Sequence, residues 1–137
     1  MSDSIRNIKG TKDILPKESR LWLETESIIH NFMSLHGYSL IRTPIFELTE
    51  LFSRSVGEYT DIVNKEMYTW EDQNGQSLTL RPEITASVVR AYVQKQLWKI
   101  EPISKFYYIG PSFRRERPQK GRYREFQQAN FMVQAIL

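Results

Sequence analysis

Two runs of β-prone residues flank the dipeptide Asn74-Gly75. The first covers Glu66 to Trp70 and the second covers Gln76 to Leu80. Asn-Gly between such runs is a strong hairpin signal, because both residues accept the left-handed backbone that tight turns require. A hairpin pairs its strands antiparallel, so a doubly wound parallel sheet is disfavoured.

A long amphipathic helix is predicted near the start of the chain. Apolar residues from Pro16 onward recur with the 3.6-residue period of a helix. Pro16 suits the first turn, and Gly37 supplies the left-handed residue that ends a helix. Strand-prone residues follow from Tyr38 to Ile45, where Pro44 belongs at an edge, a bulge or a strand end because it cannot donate to a ladder.

Two more helices are predicted, one ending before Gly57 and one that begins after Arg81-Pro82 and runs to about Gln96. Strands are predicted over Lys105 to Ile109 and Tyr123 to Ile136, on either side of a basic loop at 110–122. This order favours an α+β domain with a largely antiparallel sheet and flanking helices. No repeat or linker interrupts the chain, so residues 1–137 are expected to form one unit.

Composition excludes several kinds of site. The 137 residues contain no Cys, which removes disulfides, thiolate ligands and cysteine nucleophiles. His30 and His36 lie six residues apart and do not share a helix face, so no protein metal site is predicted. No apolar run approaches the roughly 18 residues of a membrane span, and no signal peptide is evident. We therefore expect a cytoplasmic location and no membrane partner.

Positive charge is concentrated in one segment. Residues 105–124 contain seven Lys or Arg residues against one Glu, a net charge of +6, whereas the whole chain carries +3. Such a concentration attracts the phosphates of a nucleotide or a nucleic acid, although a solvated basic loop explains the charge equally well. The glycines form neither a Walker loop nor a Rossmann turn, so side chains would have to hold any nucleotide.

Two groups of residues are suited to ligand chemistry. Glu83 and Thr85 lie where the hairpin strand leads into a helix, and they either stabilise the helix start or bind the ammonium group of a small ligand. Arg114 lies near a strand end, where its planar guanidinium can donate to a carboxylate or phosphate. Glu116 can accept from an exocyclic amine and Phe126 offers a stacking face. The loop from Arg117 to Arg122 can contact a phosphodiester backbone.

Three motifs together resemble the histidyl-tRNA synthetases, a family of class II aminoacyl-tRNA synthetases. They are Lys9-Gly-Thr-Lys-Asp-Ile-Leu-Pro16, Leu80-Arg-Pro-Glu-Ile-Thr85 and Phe113-Arg-Arg-Glu-Arg-Pro-Gln-Lys-Gly-Arg-Tyr-Arg-Glu-Phe126. The resemblance implies a class II fold and a histidine-tRNA ligase activity that uses ATP, Mg²⁺, L-histidine and tRNA-His. Motif 1, from the long helix through Arg42-Thr-Pro44, implies a homodimer. Motif 2, residues 105–128, implies ATP binding.

The resemblance also implies a role for each candidate residue. Arg114 would be the catalytic residue, which bridges the histidine carboxylate and the ATP α-phosphate. The ATP-binding residues would be Arg114, Glu116, Arg122 and Phe126. The histidine-binding residues would be Glu83, Thr85, Arg114 and Gln128. The loop residues that approach the tRNA acceptor end would be Arg117, Gln119 and Lys120, and Mg²⁺ would lie on the phosphates.

Two positions depart from the family pattern. Gln127 replaces a His or Tyr, and Met132 stands where an acidic residue is expected. The motif 3 arginine and the anticodon-binding domain would lie beyond Leu137, so we expect an incomplete catalytic domain that alone is inactive or very weak. Two other functions stay open. They are a non-catalytic synthetase-like paralogue that binds histidine or only dimerises, and a small RNA-binding module built on residues 105–124.

Overall fold

A computed structural model describes residues 4–56, 66–117 and 119–135. The helices are α1 (Pro16–Leu35), α2 (Thr49–Val56) and α3 (Thr85–Gln94), and a 3₁₀ turn covers Leu97–Lys99. The strands are β1 (Ser39–Leu40), β2 (Phe46–Leu48), β3 (Thr69–Glu71), β4 (Ser77–Leu80), β5 (Ile103–Phe113) and β6 (Glu125–Ala135). In this part of the chain, no helix has the length and apolar character needed to cross a membrane.

The strands form two sheets instead of the one that the sequence predicts. In one sheet β5 lies between β1 and β6, and in the other β4 lies between β2 and β3. The pairing of β1 with β5 is parallel, and the other three pairings are antiparallel. The predicted α+β class with largely antiparallel strands is therefore confirmed.

The hairpin predicted around Asn74-Gly75 joins β3 and β4. Trp70 pairs with Leu78, and Gly75 takes a left-handed backbone with φ +76°. The Gly75 N–H donates to the Asp72 carbonyl at 2.8 Å, which closes the turn. β3 begins at Thr69 and not at Glu66, so the predicted start of this strand is wrong.

Helix α1 has the predicted ends. Pro16 is in its first turn, and Gly37 beyond its C-terminus has φ +74°. No residue of α1 is buried, and its apolar residues Leu21, Ile28 and Phe32 are each more than half exposed. The Nδ1 atom of His30 lies 2.7 Å from the Tyr107 hydroxyl, which ties α1 to β5.

The strand predicted over Tyr38 to Ile45 is wrong in extent, because no strand covers residues 41–45. Pro44 has no N–H to donate, and the carbonyls of Thr43 and Pro44 accept hydrogen bonds from the Arg81 guanidinium at 3.0 and 3.2 Å. The Arg81 side chain thus donates the hydrogen bonds that a neighbouring strand would otherwise donate to these carbonyls.

The basic loop begins later than predicted, because β5 continues through Gly110 and Pro111 to Phe113. Pro111 is tolerated because its backbone faces away from β6. Its carbonyl accepts a hydrogen bond from Nε of Arg81 at 2.8 Å. The N and C=O of one strand residue point to the same side, so the missing N–H removes no bond to β6.

The core lies where α3 packs on the β5–β6 sheet. Ile84, Val88 and Tyr108 are at most 2% exposed, and Met132 packs against them. The position where the family resemblance expects an acidic residue is therefore an apolar core contact. A second cluster, formed by Phe52, Met67 and Ala86, fixes the other side of α3 against α2. These contacts place the N-terminus of α3 beside the ends of β4 and β5.

Candidate functional site

Arg114 directly follows β5 and lies at the junction of the two sheets. Its Nε donates to the Pro82 carbonyl at 3.0 Å. Its guanidinium carbon lies 5.1 Å from the centre of the Phe126 ring, and its Nη1 lies 3.9 Å from Oε1 of Glu116. The structure thus brings Arg114, Glu116 and Phe126 together, as their spacing predicts.

A groove of about 380 Å³ opens beside these three side chains. Gly121, Arg122 and Tyr123 complete its wall, so Arg122 also lies at the site. Its volume lies in the range of small-molecule sites. Only 27% of the Arg114 side chain and 18% of the Glu116 side chain is exposed. Partial burial strengthens the electrostatic interactions of both groups. The groove therefore offers donors for an anion, an acceptor for an amine and a stacking face.

The Glu83 carboxylate caps α3. Its Oε2 accepts from the Thr85 N–H at 2.6 Å, and its Oε1 accepts from the Ala86 N–H at 2.8 Å. The helix-stabilising interpretation of Glu83 is therefore confirmed. Each carboxylate oxygen has a second lone pair, and Glu83 and Thr85 both line an open pocket of about 420 Å³. Ammonium binding at Glu83 stays a prediction.

Thr85 and Gln128 are both fixed by neighbouring residues. The Thr85 hydroxyl lies 2.5 Å from the Tyr108 hydroxyl, and burial raises the pKa of Tyr108. Oε1 of Gln128 accepts from the Ile84 N–H at 3.1 Å and from the Ser112 hydroxyl at 3.2 Å. The Gln128 oxygen is thus committed to the protein, and its amide nitrogen can donate to a ligand.

The tip of the basic loop is a tight turn. The Arg122 N–H donates to the Gln119 carbonyl at 2.9 Å, and Gly121 has φ +82°. Arg117, Gln119 and Lys120 are exposed. These three loop side chains therefore face solvent, and they are not among the residues that line the groove beside Arg114 and Glu116.

Three residues of the site region were not predicted from sequence: Arg81, Tyr108 and Ser112. Alternation along β5 was the available signal for two of them, because it places Tyr108 and Ser112 on the same strand face. No local signal marks Arg81, since its partners are Thr43, Pro44 and Pro111, about 30 or more positions away.

Sequence comparison matches this chain to one family. A family model described as histidyl-tRNA synthetase covers residues 10–131. The histidine–tRNA ligase of Solibacter usitatus is 57% identical over 122 residues, which are 89% of this chain and 30% of that protein. The histidine–tRNA ligase of Desulfosudis oleivorans is 59% identical over 123 residues, 90% of this chain and 29% of that protein. The chain thus spans about 30% of the length of these curated relatives.

Solved structures share the fold. The crystal structure of apo S. aureus histidyl-tRNA synthetase has a TM-score of 0.76 and 40% identity over 93% of this chain and 28% of that chain. An ATP phosphoribosyltransferase regulatory subunit/histidyl-tRNA synthetase from Bacillus halodurans C has a TM-score of 0.75 at 24% identity over 93% of this chain and 32% of that chain. The second likeness concerns the fold alone. The family match and the fold agree, and the chain belongs to the histidyl-tRNA synthetase family.

Proposed function

We propose that this chain contributes the ATP-binding and histidine-binding part of a histidine–tRNA ligase catalytic domain. The reaction is formation of histidyl-adenylate, followed by transfer of histidine to tRNA-His in the cytoplasm. The observation that carries the proposal is the convergence of Arg114, Glu116 and Phe126 on one groove at the end of β5. Family membership supports the proposed reaction, and this convergence supports the proposed nucleotide site.

In this proposal Arg114 organises the chemical step. An oxygen of the histidine carboxylate attacks the α-phosphorus of ATP in line, and pyrophosphate leaves. The Arg114 guanidinium donates to the carboxylate and to the α-phosphate, so it aligns the two groups and offsets the negative charge that grows between them. The bond from Nε to the Pro82 carbonyl holds the guanidinium in place and leaves its two terminal nitrogens for the ligands.

The adenine is assigned to Phe126 and Glu116. The Phe126 ring stacks on the base, and the Glu116 carboxylate accepts a hydrogen bond from the adenine amino group. The Arg114 guanidinium carbon lies 5.1 Å from the centre of the same ring, so in this proposal the stacked base and the guanidinium lie next to each other. Arg122, on the groove wall, is placed to donate to the phosphates.

L-histidine is assigned to the residues around the start of α3. Glu83 and Thr85 receive its ammonium group, and the Gln128 amide nitrogen donates to the ligand. These residues are already held in place by Ala86, Tyr108 and Ser112, which supports a rigid pocket. Met132 carries a thioether and packs against the core, so this position offers no acidic group to the imidazole.

Mg²⁺ is assigned to the ATP phosphates. Within residues 4–56, 66–117 and 119–135, no three acidic or histidine side chains lie close enough together to hold a metal ion. The proposal therefore places Mg²⁺ on the phosphates of the nucleotide, where it would offset their negative charge. The exposed loop residues Arg117, Gln119 and Lys120 are assigned to the acceptor end of tRNA-His, where their donors suit phosphates.

Calorimetric titration with ATP and GTP tests the proposed nucleotide site. We expect ATP to bind roughly ten or more times more tightly than GTP, because guanine places a carbonyl where adenine presents an amine to Glu116. Glu116→Gln is expected to reduce this preference, whereas the exposed control Glu101→Gln is expected to retain it. Equal affinity for ATP and GTP, or no binding of either, would contradict the assignment.

A homodimer through α1 is the proposed assembly. The exposed residues Leu21, Ile28 and Phe32 form one apolar stripe on the helix, and such a surface favours association with a second copy. We expect sedimentation at micromolar concentration to show dimers or larger species, and Phe32→Glu to shift them toward monomer. Ser27→Glu, at an exposed polar position of α1, is the matched control. A monodisperse wild-type monomer would refute this assembly.

A further inference from the structure

Arg81 is a buried cation held by backbone oxygens. It is 4% exposed. Its Nε donates to the Pro111 carbonyl at 2.8 Å, and its Nη1 donates to the carbonyls of Thr43 and Pro44. The planar guanidinium thus joins β5 to the irregular segment between β1 and β2. Lys has a single ammonium group and cannot reproduce this fork.

Gly110 leaves the space that this guanidinium occupies. A β-carbon at position 110 would lie 2.6 Å from Nη2 of Arg81, well inside van der Waals contact. The absence of a side chain at Gly110 therefore permits Arg81 to lie against β5. Arg81 and Gly110 form one structural unit, although 29 positions separate them.

Arg81 adjoins both parts of the proposed site, the groove beside Arg114 and the pocket at Glu83. The Arg81 carbonyl accepts from the Phe113 N–H at 2.9 Å, and Phe113 is followed directly by Arg114. The Pro82 carbonyl, one residue beyond Arg81, accepts from Nε of Arg114 at 3.0 Å. Glu83 follows at the start of α3. The position of Arg81 thus determines where the Pro82 carbonyl and the end of β5 meet.

We infer that Arg81 is a positioning residue for the proposed nucleotide site, which holds the Pro82 carbonyl where it orients the Arg114 guanidinium. This inference rests on the proposed role of Arg114 in binding ATP. Arg81 acts on this site through Pro82 and Phe113.

The charge of Arg81 is buried among neutral acceptors, which indicates that its role is to hold neighbouring segments in position. Burial lowers the pKa of the guanidinium, and the negative charge of Glu47 opposes that shift. Glu47 forms its ion pair with Arg90. The acceptors bonded to Arg81 among the described residues are neutral oxygens. A buried charge bonded only to neutral groups is costly. The contribution of Arg81 is therefore the connection that its guanidinium makes between the Thr43–Pro44 segment and Pro111 of β5.

Arg81→Lys tests the inference with two measurements on the full chain. The first is the ¹H–¹⁵N NMR signal of the Arg114 Nε–H, assigned from its loss in Arg114→Lys. The second is the affinity for ATP. We expect the signal to move and ATP affinity to fall by roughly tenfold or more, since a small misplacement of a binding group is costly. Arg90→Lys makes the same change at a partly buried arginine and is expected to leave both readings near wild type.

Gly110→Ala provides a second variant that removes no hydrogen-bond partner. Its methyl group displaces the Arg81 guanidinium, so we expect the same two changes, and a smaller additional effect in the Arg81→Lys background than in wild type. An unchanged Arg114 signal with unchanged ATP affinity in the folded variants would overturn the inference. If the wild-type chain binds no ATP, the proposed nucleotide function fails, while the Arg114 signal still decides whether Arg81 positions it.

Discussion

Replacing Arg114 by Ala is expected to weaken ATP binding by roughly 10- to 150-fold, which corresponds to about 1.5–3 kcal/mol, the usual size of a charge-assisted contact. The side chain lies at the end of β5, beside Glu116 and Phe126, and is only 27% exposed. Calorimetric titration with ATP in the presence of Mg²⁺ measures the change.

Two further variants separate charge from geometry at this position. Arg114→Lys keeps the charge but loses the fork, so we expect only part of the affinity to return. Arg115→Ala removes one positive charge from the exposed adjacent residue and is expected to change the affinity little. Equal ATP affinity in wild type, Arg114→Ala and Arg114→Lys would remove Arg114 from the site.

The second large effect concerns stability. Phe52→Ala is expected to lower the free energy of unfolding by about 3–5 kcal/mol, the range for a buried aromatic residue truncated in a core. Phe52 is 0% exposed and packs with Met67 and Ala86, so its loss leaves a cavity between α2 and α3. Urea unfolding followed by circular dichroism gives the difference.

A matched truncation at the surface provides the control. Ile100 is 74% exposed, and Ile100→Ala is expected to change the free energy of unfolding by no more than about 0.5 kcal/mol. Similar losses in Phe52→Ala and Ile100→Ala would contradict the assignment of Phe52 to the core.

Local signals account for the elements that the sequence predicted well. Helix α1 begins at Pro16 and ends before Gly37, because both residues act on their own backbone. The hairpin turn at Gly75 has the same kind of local cause. The part of the site on the β5–β6 hairpin was also predictable. Ser112 pairs with Phe126 in register, so residues near in sequence meet beside Arg114.

Elements that depend on distant partners were not predictable in the same way. The strand predicted over Tyr38 to Ile45 is not continued, because the carbonyls of Thr43 and Pro44 bond to Arg81. β5 extends through Pro111, whose carbonyl accepts a hydrogen bond from Arg81 on the side away from β6. Propensity and periodicity describe a residue and its near neighbours, so they contain no information about a guanidinium about 30 or more positions away.

The ends of α1, the turn between β3 and β4, the α+β class and the residue types available to bind a nucleotide all follow from the amino-acid sequence, because these depend on local backbone preferences and on motif composition. Only the packing of the elements reveals that the strands divide into two sheets and that Met132 packs against the core. It also reveals that the Pro82 carbonyl meets Arg114. These outcomes depend on the packing of α3 against β5 and β6, and on a buried cation whose hydrogen bonds can be satisfied only when distant segments come together.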